Sequence, residues 1–194
     1  MIAQLTGKLA YLSPTKAIMD VRGVGYELHI TLHTFTAIQG KDTATLQTYL
    51  KVSEDALVLF GFADGEEKEM FVKLIGVSGV GAATARMMLS SLRPVEIGTA
   101  ILSGNVRQLE GIKGIGKKTA ERLVLELKDK MGKEPLSNPV SSIGHNTTWS
   151  DALEALIALG IQRNMGEIAL KKLQPLMTDN PSVETIIKQV LKSL

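Results

Sequence analysis

Through residue 62 the chain alternates apolar and polar positions with a period of two, in short runs separated by turn residues. Runs over 2–12, 17–21, 26–30, 44–52 and 56–62 predict five strands, with a short helix over 32–38 between the third and fourth. Ser13-Pro14, Gly23-Val24-Gly25, Gly40-Lys41-Asp42 and Ser53-Glu54-Asp55 carry turn chemistry. Five strands in so short a stretch predict a small closed barrel of the oligonucleotide-binding (OB) type. A five-stranded sheet packed on its neighbour is the alternative.

From Asp64 the apolar period lengthens to about 3.6. Helices are predicted over 66–75, 82–92, 95–102, 106–110 and 117–131, an all-α block. Residues 133–147 then turn polar and rich in Pro135, Asn138, Pro139, Ser141, Ser142, Gly144 and Asn146, which is linker composition. Three short helices follow. The first, 149–159, stops at Gly160; the second opens on Asn164 and Glu167, spaced as a capping box; the third starts at Asn180-Pro181 and runs to Leu194. The pattern is that of a multi-domain α+β protein: a barrel (1–63), a helical block (64–132), a flexible linker (133–147) and a small three-helix domain of UBA-like form (148–194).

The chain has no cysteine, which excludes disulfides, Cys-type zinc sites and thiol nucleophiles. No basic segment leads into an apolar run at the N-terminus and no stretch approaches a membrane span, so a cytoplasmic location is expected. Net charge is only +2, but its distribution is uneven: residues 63–132 hold eleven Lys/Arg against nine Asp/Glu, while both flanks balance. Within that block, residues 107–130 carry seven bases (Arg107, Lys113, Lys117, Lys118, Arg122, Lys128, Lys130) against four acids. With screening over about 10 Å, a local patch of this kind is what an anionic partner meets.

The helical block contains an internal repeat. Residues 74–85 laid over 109–120 align Leu74 with Leu109, Gly76 with Gly111, Gly79 with Gly114, Gly81 with Gly116, Thr84 with Thr119 and Ala85 with Ala120. Val77 and Val80 match Ile112 and Ile115 conservatively. Each copy, Gly76-Val77-Ser78-Gly79-Val80-Gly81 and Gly111-Ile112-Lys113-Gly114-Ile115-Gly116, reads as helix, glycine hairpin, helix. Glycines allow positive φ and close approach of another backbone. The apolar residues between them anchor the hairpin, leaving backbone N–H groups at the next helix N-terminus to face an anion. Lys117 and Lys118 add cations beside the second copy. A grip on phosphate alone implies sequence-independent, salt-sensitive DNA binding.

Other readings fare worse. Gly111 to Lys117 nearly spells a nucleotide-binding P-loop, but Lys118 stands where Mg²⁺ needs Ser or Thr, and a helix precedes it. Gly114-x-Gly116 lacks the third glycine of a dinucleotide fingerprint, where Thr119 stands. A mere tight turn between packed helices does not account for two aligned copies. No catalytic constellation emerges: His29 and His33 lack the intervening Glu of a zinc-protease helix, His145 is isolated, and no Gly-x-Ser-x-Gly occurs. The acids of 64–69 read as the charged first turn of a helix. No cofactor or metal is expected. Competing classes are a helix-hairpin-helix glycosylase or nuclease subunit, which needs a catalytic Lys/Asp pair or carboxylate cluster, and a single-strand binder, which needs stacking aromatics.

The barrel, the two hairpins and the tethered helical domain together resemble the RuvA family of bacterial Holliday-junction-binding proteins. Residues 111–123 (GIKGIGKKTAERL) are very close to that family's second helix-hairpin-helix motif. Met1-Ile2 with Gly7, Gly23-Val24-Gly25-Tyr26-Glu27, Glu54-Asp55-Ala56 leading to Phe60-Gly61-Phe62, and Asp151-Ala152-Leu153-Glu154-Ala155-Leu156 with Leu159-Gly160 also match. The resemblance implies a non-catalytic homotetramer, or an octamer on DNA, that holds a four-way junction open and square-planar for recombination and repair. It implies a hexameric ATPase, RuvB, as the motor contacted by 148–194 through Trp149, Leu153, Leu156, Leu159 and Gly160. The resolvase RuvC is a further candidate member of the complex. It also makes Glu54 and Asp55 an acidic pin near the crossing strands; from the residues alone they are a solvated turn. One departure stands out: Ala83 occupies a position where the family commonly carries lysine, and Arg86, one turn on, is the candidate replacement.

Overall fold

The computed structural model describes residues 1–131, 147–176 and 181–193, which fall into two compact units, 1–131 and 147–193. The predicted linker, apart from Thr147, lies outside the described residues.

In the first unit, β1 (Gln4–Ser13), β2 (Lys16–Val21), β3 (Val24–Ile30), β4 (Thr43–Val52) and β5 (Leu57–Phe62) close into a barrel in the order β1-β2-β3-β5-β4. Only β3 and β5 pair in parallel. Helix α1 (Leu32–Ile38) joins β3 to β4, its N-cap Thr31 accepting the Thr34 N–H. Leu5, Ala17, Met19, Leu28, Ile30, Ile38, Leu46 and Leu59 fill the interior. The period-two pattern therefore does mark inward and outward faces.

Closure depends on β1, which pairs with β4 over Gln4 to Lys8 and with β2 from Lys8 onward. At the crossover, a Cβ on Gly7 would lie 2.3 Å from the Asp20 carbonyl oxygen. Only glycine lets the two backbones come that close.

The β2–β3 turn is tighter than Gly23-Val24-Gly25 suggests. Arg22 (φ 54) and Gly23 (φ 89) alone make it, and Val24 and Gly25 already belong to β3. Two successive positive φ angles match the twist of a hairpin. The Asp20 carboxylate accepts the Gly23 N–H at 2.6 Å and holds the turn in place.

The helical block comprises α2 (Gly65–Ile75), α3 (Ala82–Ser91), α4 (Pro94–Ser103), α5 (Val106–Glu110) and α6 (Lys117–Met131). Asp64 caps α2, Asn105 caps α5, and Pro94 opens α4. Phe60 and Phe62 of β5 belong to the apolar cluster of these helices, while Leu59 of the same strand belongs to the barrel interior, so β5 serves both cores.

The second unit packs α7 (Thr147–Ala158), α8 (Arg163–Leu173), a 3₁₀ turn (Gln174–Leu176) and α9 (Val183–Ser193) around Ala152, Leu156, Ala169, Leu170, Ile186 and Val190. Two predicted helix starts are corrected. Helix α8 begins at Arg163, so Asn164 lies inside it, and Glu167 pairs with Arg163 (3.2 Å) instead of closing a capping box. Helix α9 begins at Val183, with Ser182 Oγ accepting the Thr185 N–H; Pro181 precedes it, and Asn180 is outside the described residues.

Gly7→Ala is expected to lower stability by about 1–3 kcal/mol, because backbone must move to admit the methyl group. Thermal unfolding of the two proteins measures this, and an unchanged midpoint would contradict the crossover geometry.

Candidate nucleic-acid interface

The two glycine hairpins have the same backbone, bond for bond. Gly76 and Gly111 cap the preceding helices in right-handed helical conformation. Val77 N–H then bonds to Leu74 O (3.1 Å) and Val80 N–H to Val77 O (3.0 Å); Ile112 to Leu109 O (3.2 Å) and Ile115 to Ile112 O (3.0 Å) repeat this. Gly79 and Gly114 both turn the chain at φ 91. The next helix is entered by Ala85 N–H to Gly81 O in one copy and Ala120 N–H to Gly116 O in the other. The aligned residues therefore encode one structure twice.

Val77, Val80, Ile112 and Ile115 are buried, at 1–5% exposure, and act as anchors. Their side chains are withdrawn from any ligand. Ser78, Gly79, Gly81, Lys113, Gly114, Gly116, Lys117 and Lys118 face solvent. Gly81 is informative here. Its φ of −82° suits any residue, and a Cβ would meet nothing within 4 Å, so nothing inside the protein requires glycine there. No side chain caps α3, unlike α1, α2 and α5, so its first-turn N–H groups remain for an external acceptor.

Cations are distributed unequally. The second hairpin has Lys113 at its apex and Lys117 and Lys118 behind it; the equivalent positions in the first are Ser78, Ala82 and Ala83. Arg86 does not supply the missing charge in this conformation. Its Nη1 turns toward the barrel, 3.2 Å from Thr15 O and 3.0 Å from His29 Nδ1. Arg122 of α6 instead crosses to the first hairpin, where its Nη1 donates to Ser78 O at 3.3 Å, and its side chain stays half exposed. Sequence reading counted Arg122 in the basic run without connecting it to the first hairpin, because a contact across 44 residues leaves no local signal.

Glu54 and Asp55 sit at the tip of the β4–β5 hairpin, closed by Ser53 N–H and Oγ bonds to Ala56 O. Residues 51–57 are all exposed, and neither carboxylate has an ion-pair partner among the described residues. The tip lies at the opposite end of β5 from α2, about 17 Å along the strand.

The residues proposed to meet a motor divide. Leu156 is fully buried in the core of its unit, Trp149 and Leu153 pack partly against that core, and only Leu159 (61% exposed) and Gly160 are open. Leu156 therefore packs within the core of its own unit. Met165 and Ile168, three apart on α8, are exposed apolar residues that the sequence reading passed over. Among the described residues there is no cluster of metal-ligating side chains and no helix long and apolar enough to cross a membrane.

Comparison with known proteins supplies the context for this geometry. Residues 1–61 match the RuvA N-terminal domain, 71–129 a SAM-like tandem helix-hairpin-helix and 147–194 the RuvA C-terminal domain. The chain is 46% identical over 194 residues to a protein of Flavobacterium psychrophilum, covering all of both chains. It is 43% identical over 197 residues to one of Cytophaga hutchinsonii, covering 99% of each. A Geobacter protein is 46% identical over 199 residues, covering all of this chain and 99% of its own. Each is described as Holliday junction branch migration complex subunit RuvA.

The chain belongs to the RuvA family.

Its barrel and C-terminal helices correspond to the two RuvA domains matched, and its paired hairpins to the tandem helix-hairpin-helix between them.

Two outcomes test the geometry. Gly81→Ala is expected to change stability by about 1 kcal/mol or less, yet to weaken DNA binding severalfold by placing a methyl group in the cradle. Equal DNA binding by the two proteins would show that no ligand backbone approaches there. The second concerns His29, whose pKa is held below its ordinary 6.5 by burial first and then by the charges of Arg86 and Lys16. Below that ordinary value the unfolded chain takes up the proton more readily than the folded one. The stabilisation is thus complete above about pH 6.5 and lost as pH falls through the folded value. Unfolding midpoints should drop over this range, and less so in His29→Gln; identical pH profiles would contradict the assignment.

Proposed function

We propose that this protein is the junction-binding subunit of a DNA branch-migration machine. The observation carrying this reading is the pair of identical, uncovered backbone cradles, Gly76 to Gly81 and Gly111 to Gly116, in a RuvA-family chain. Each cradle receives a phosphate through helix N-terminal N–H groups, with Lys113, Lys117 and Lys118 supporting the second and Arg122 beside the first. Both contact the backbone only, so base sequence is not read.

Choice of a four-way junction over duplex comes from assembly and from the acidic tip. Four copies place four pairs of cradles around the four arms, matching the pseudo-symmetry of the DNA. Glu54 and Asp55 then sit near the crossing strands and repel phosphates, keeping the junction open and planar. The protein itself performs no chemistry. Energy for moving the branch point comes from a hexameric ATPase, RuvB, recruited through exposed apolar residues of the C-terminal unit such as Leu159, Met165 and Ile168. The resolvase RuvC acts on the same junction, in the cytoplasm.

Labelled four-way and linear DNA incubated with the protein alone tests this. Tight, uncleaved binding of the junction, weakening steeply with salt, is expected; cleavage, or equal affinity for linear DNA, rejects the reading.

A further inference from the structure

We propose that Glu67 is a positioning residue for junction discrimination: it keys the first hairpin to the barrel that carries the acidic tip. The inference rests on the junction-binding reading given above. Glu67 stands in the first turn of α2, where a carboxylate usually faces water, yet it is only 2% exposed. A buried carboxylate is costly unless donors surround it. Here they do. The hydroxyls of Thr31 and Thr34, both fully buried, donate to its two oxygens, Thr34 at 2.6 Å, and the Ala63 N–H approaches at 3.4 Å.

Thr31 Oγ1 already accepts the Thr34 N–H, and Thr34 Oγ1 accepts the Ala63 N–H at 2.9 Å. Each hydroxyl thus accepts one backbone N–H and donates its own hydrogen to a Glu67 oxygen. The three elements joined are the cap and first turn of α1, the end of β5 and the start of α2. One turn along α2, Phe71 packs on Tyr49, Phe60 and Phe62 with ring centroids 4.9–5.4 Å apart. Apolar contact holds the surfaces together but tolerates sliding; directional bonds set one angle. From α3, Ser90 Oγ accepts the Leu32 N–H and Arg86 reaches Thr15 and His29, so both helices flanking the first hairpin are tied to the barrel.

Linear duplex needs only the cradles, whereas a junction must meet cradles and acidic tip together. Loosening the key should therefore cost junction binding selectively. In Glu67→Gln an amide N–H₂ confronts a hydroxyl hydrogen, stranding a buried donor. A second protein, Thr31→Val/Thr34→Val/Glu67→Met, replaces the side-chain network by apolar groups; because the Thr34 and Ala63 N–H groups lose these acceptors, thermal unfolding first establishes the temperature range in which it is folded. Binding is measured for both, below their unfolding temperatures, against four-way and linear DNA. The expected result is linear affinity within about twofold of the parent and junction affinity reduced about tenfold. An unchanged ratio of the two affinities in the triple variant, or parallel loss on both DNAs, overturns the inference. A parent protein with no junction preference overturns the reading beneath it instead.

Discussion

The structure depends on one apolar seam. Phe60 and Phe62, on the face of β5 opposite Leu59, belong to the same buried cluster as Phe71 of α2, the hairpin anchors Val77, Val80, Ile112 and Ile115, and Leu123 and Leu127 of α6. The barrel is thus continuous with the platform that shapes both hairpins. Each fully buried aromatic removes enough apolar surface from water to contribute roughly 2–3 kcal/mol. Such cohesion allows the hairpins to be short and glycine-rich, because their shape is imposed from beneath.

This arrangement separates holding from contacting. Two apolar side chains, three residues apart in each hairpin, are buried, while Gly79, Gly81, Gly114 and Gly116 are exposed. A surface made from backbone is indifferent to base identity and admits a phosphate closely. The cations around it are replaceable in origin. Lys113, Lys117 and Lys118 are local to their hairpin, whereas Arg122 reaches the other from a helix 44 residues away. The polar bonds between barrel and helices add direction to the seam, and Arg86 serves there, toward His29 and Thr15.

Much of the fold is legible locally. The change of period from two to about 3.6 at Asp64 separates strands from helices, and the barrel's five strands follow from alternation and turns. Local reading falters at element ends. Asn164 has the right neighbour for a cap but lies within α8, because packing of Gly166, Ala169 and Leu170 sets where that helix starts. Leu156 has the composition of a contact residue and the position of a core residue; only the partner helices decide between them.

The sequence by itself determined the strands, the helices and the doubled hairpin, since these rest on glycine stereochemistry, apolar period and anchors within a dozen residues of one another. Tertiary structure alone decided that Gly7 lies against Asp20, that Arg86 faces the barrel while Arg122 serves the first hairpin, and that Glu67 turns inward among threonine hydroxyls. Each of these joins residues far apart in the chain. Charge and hydrogen-bonding capacity are written in the residue, but its partner is chosen by which distant surface folding brings within reach.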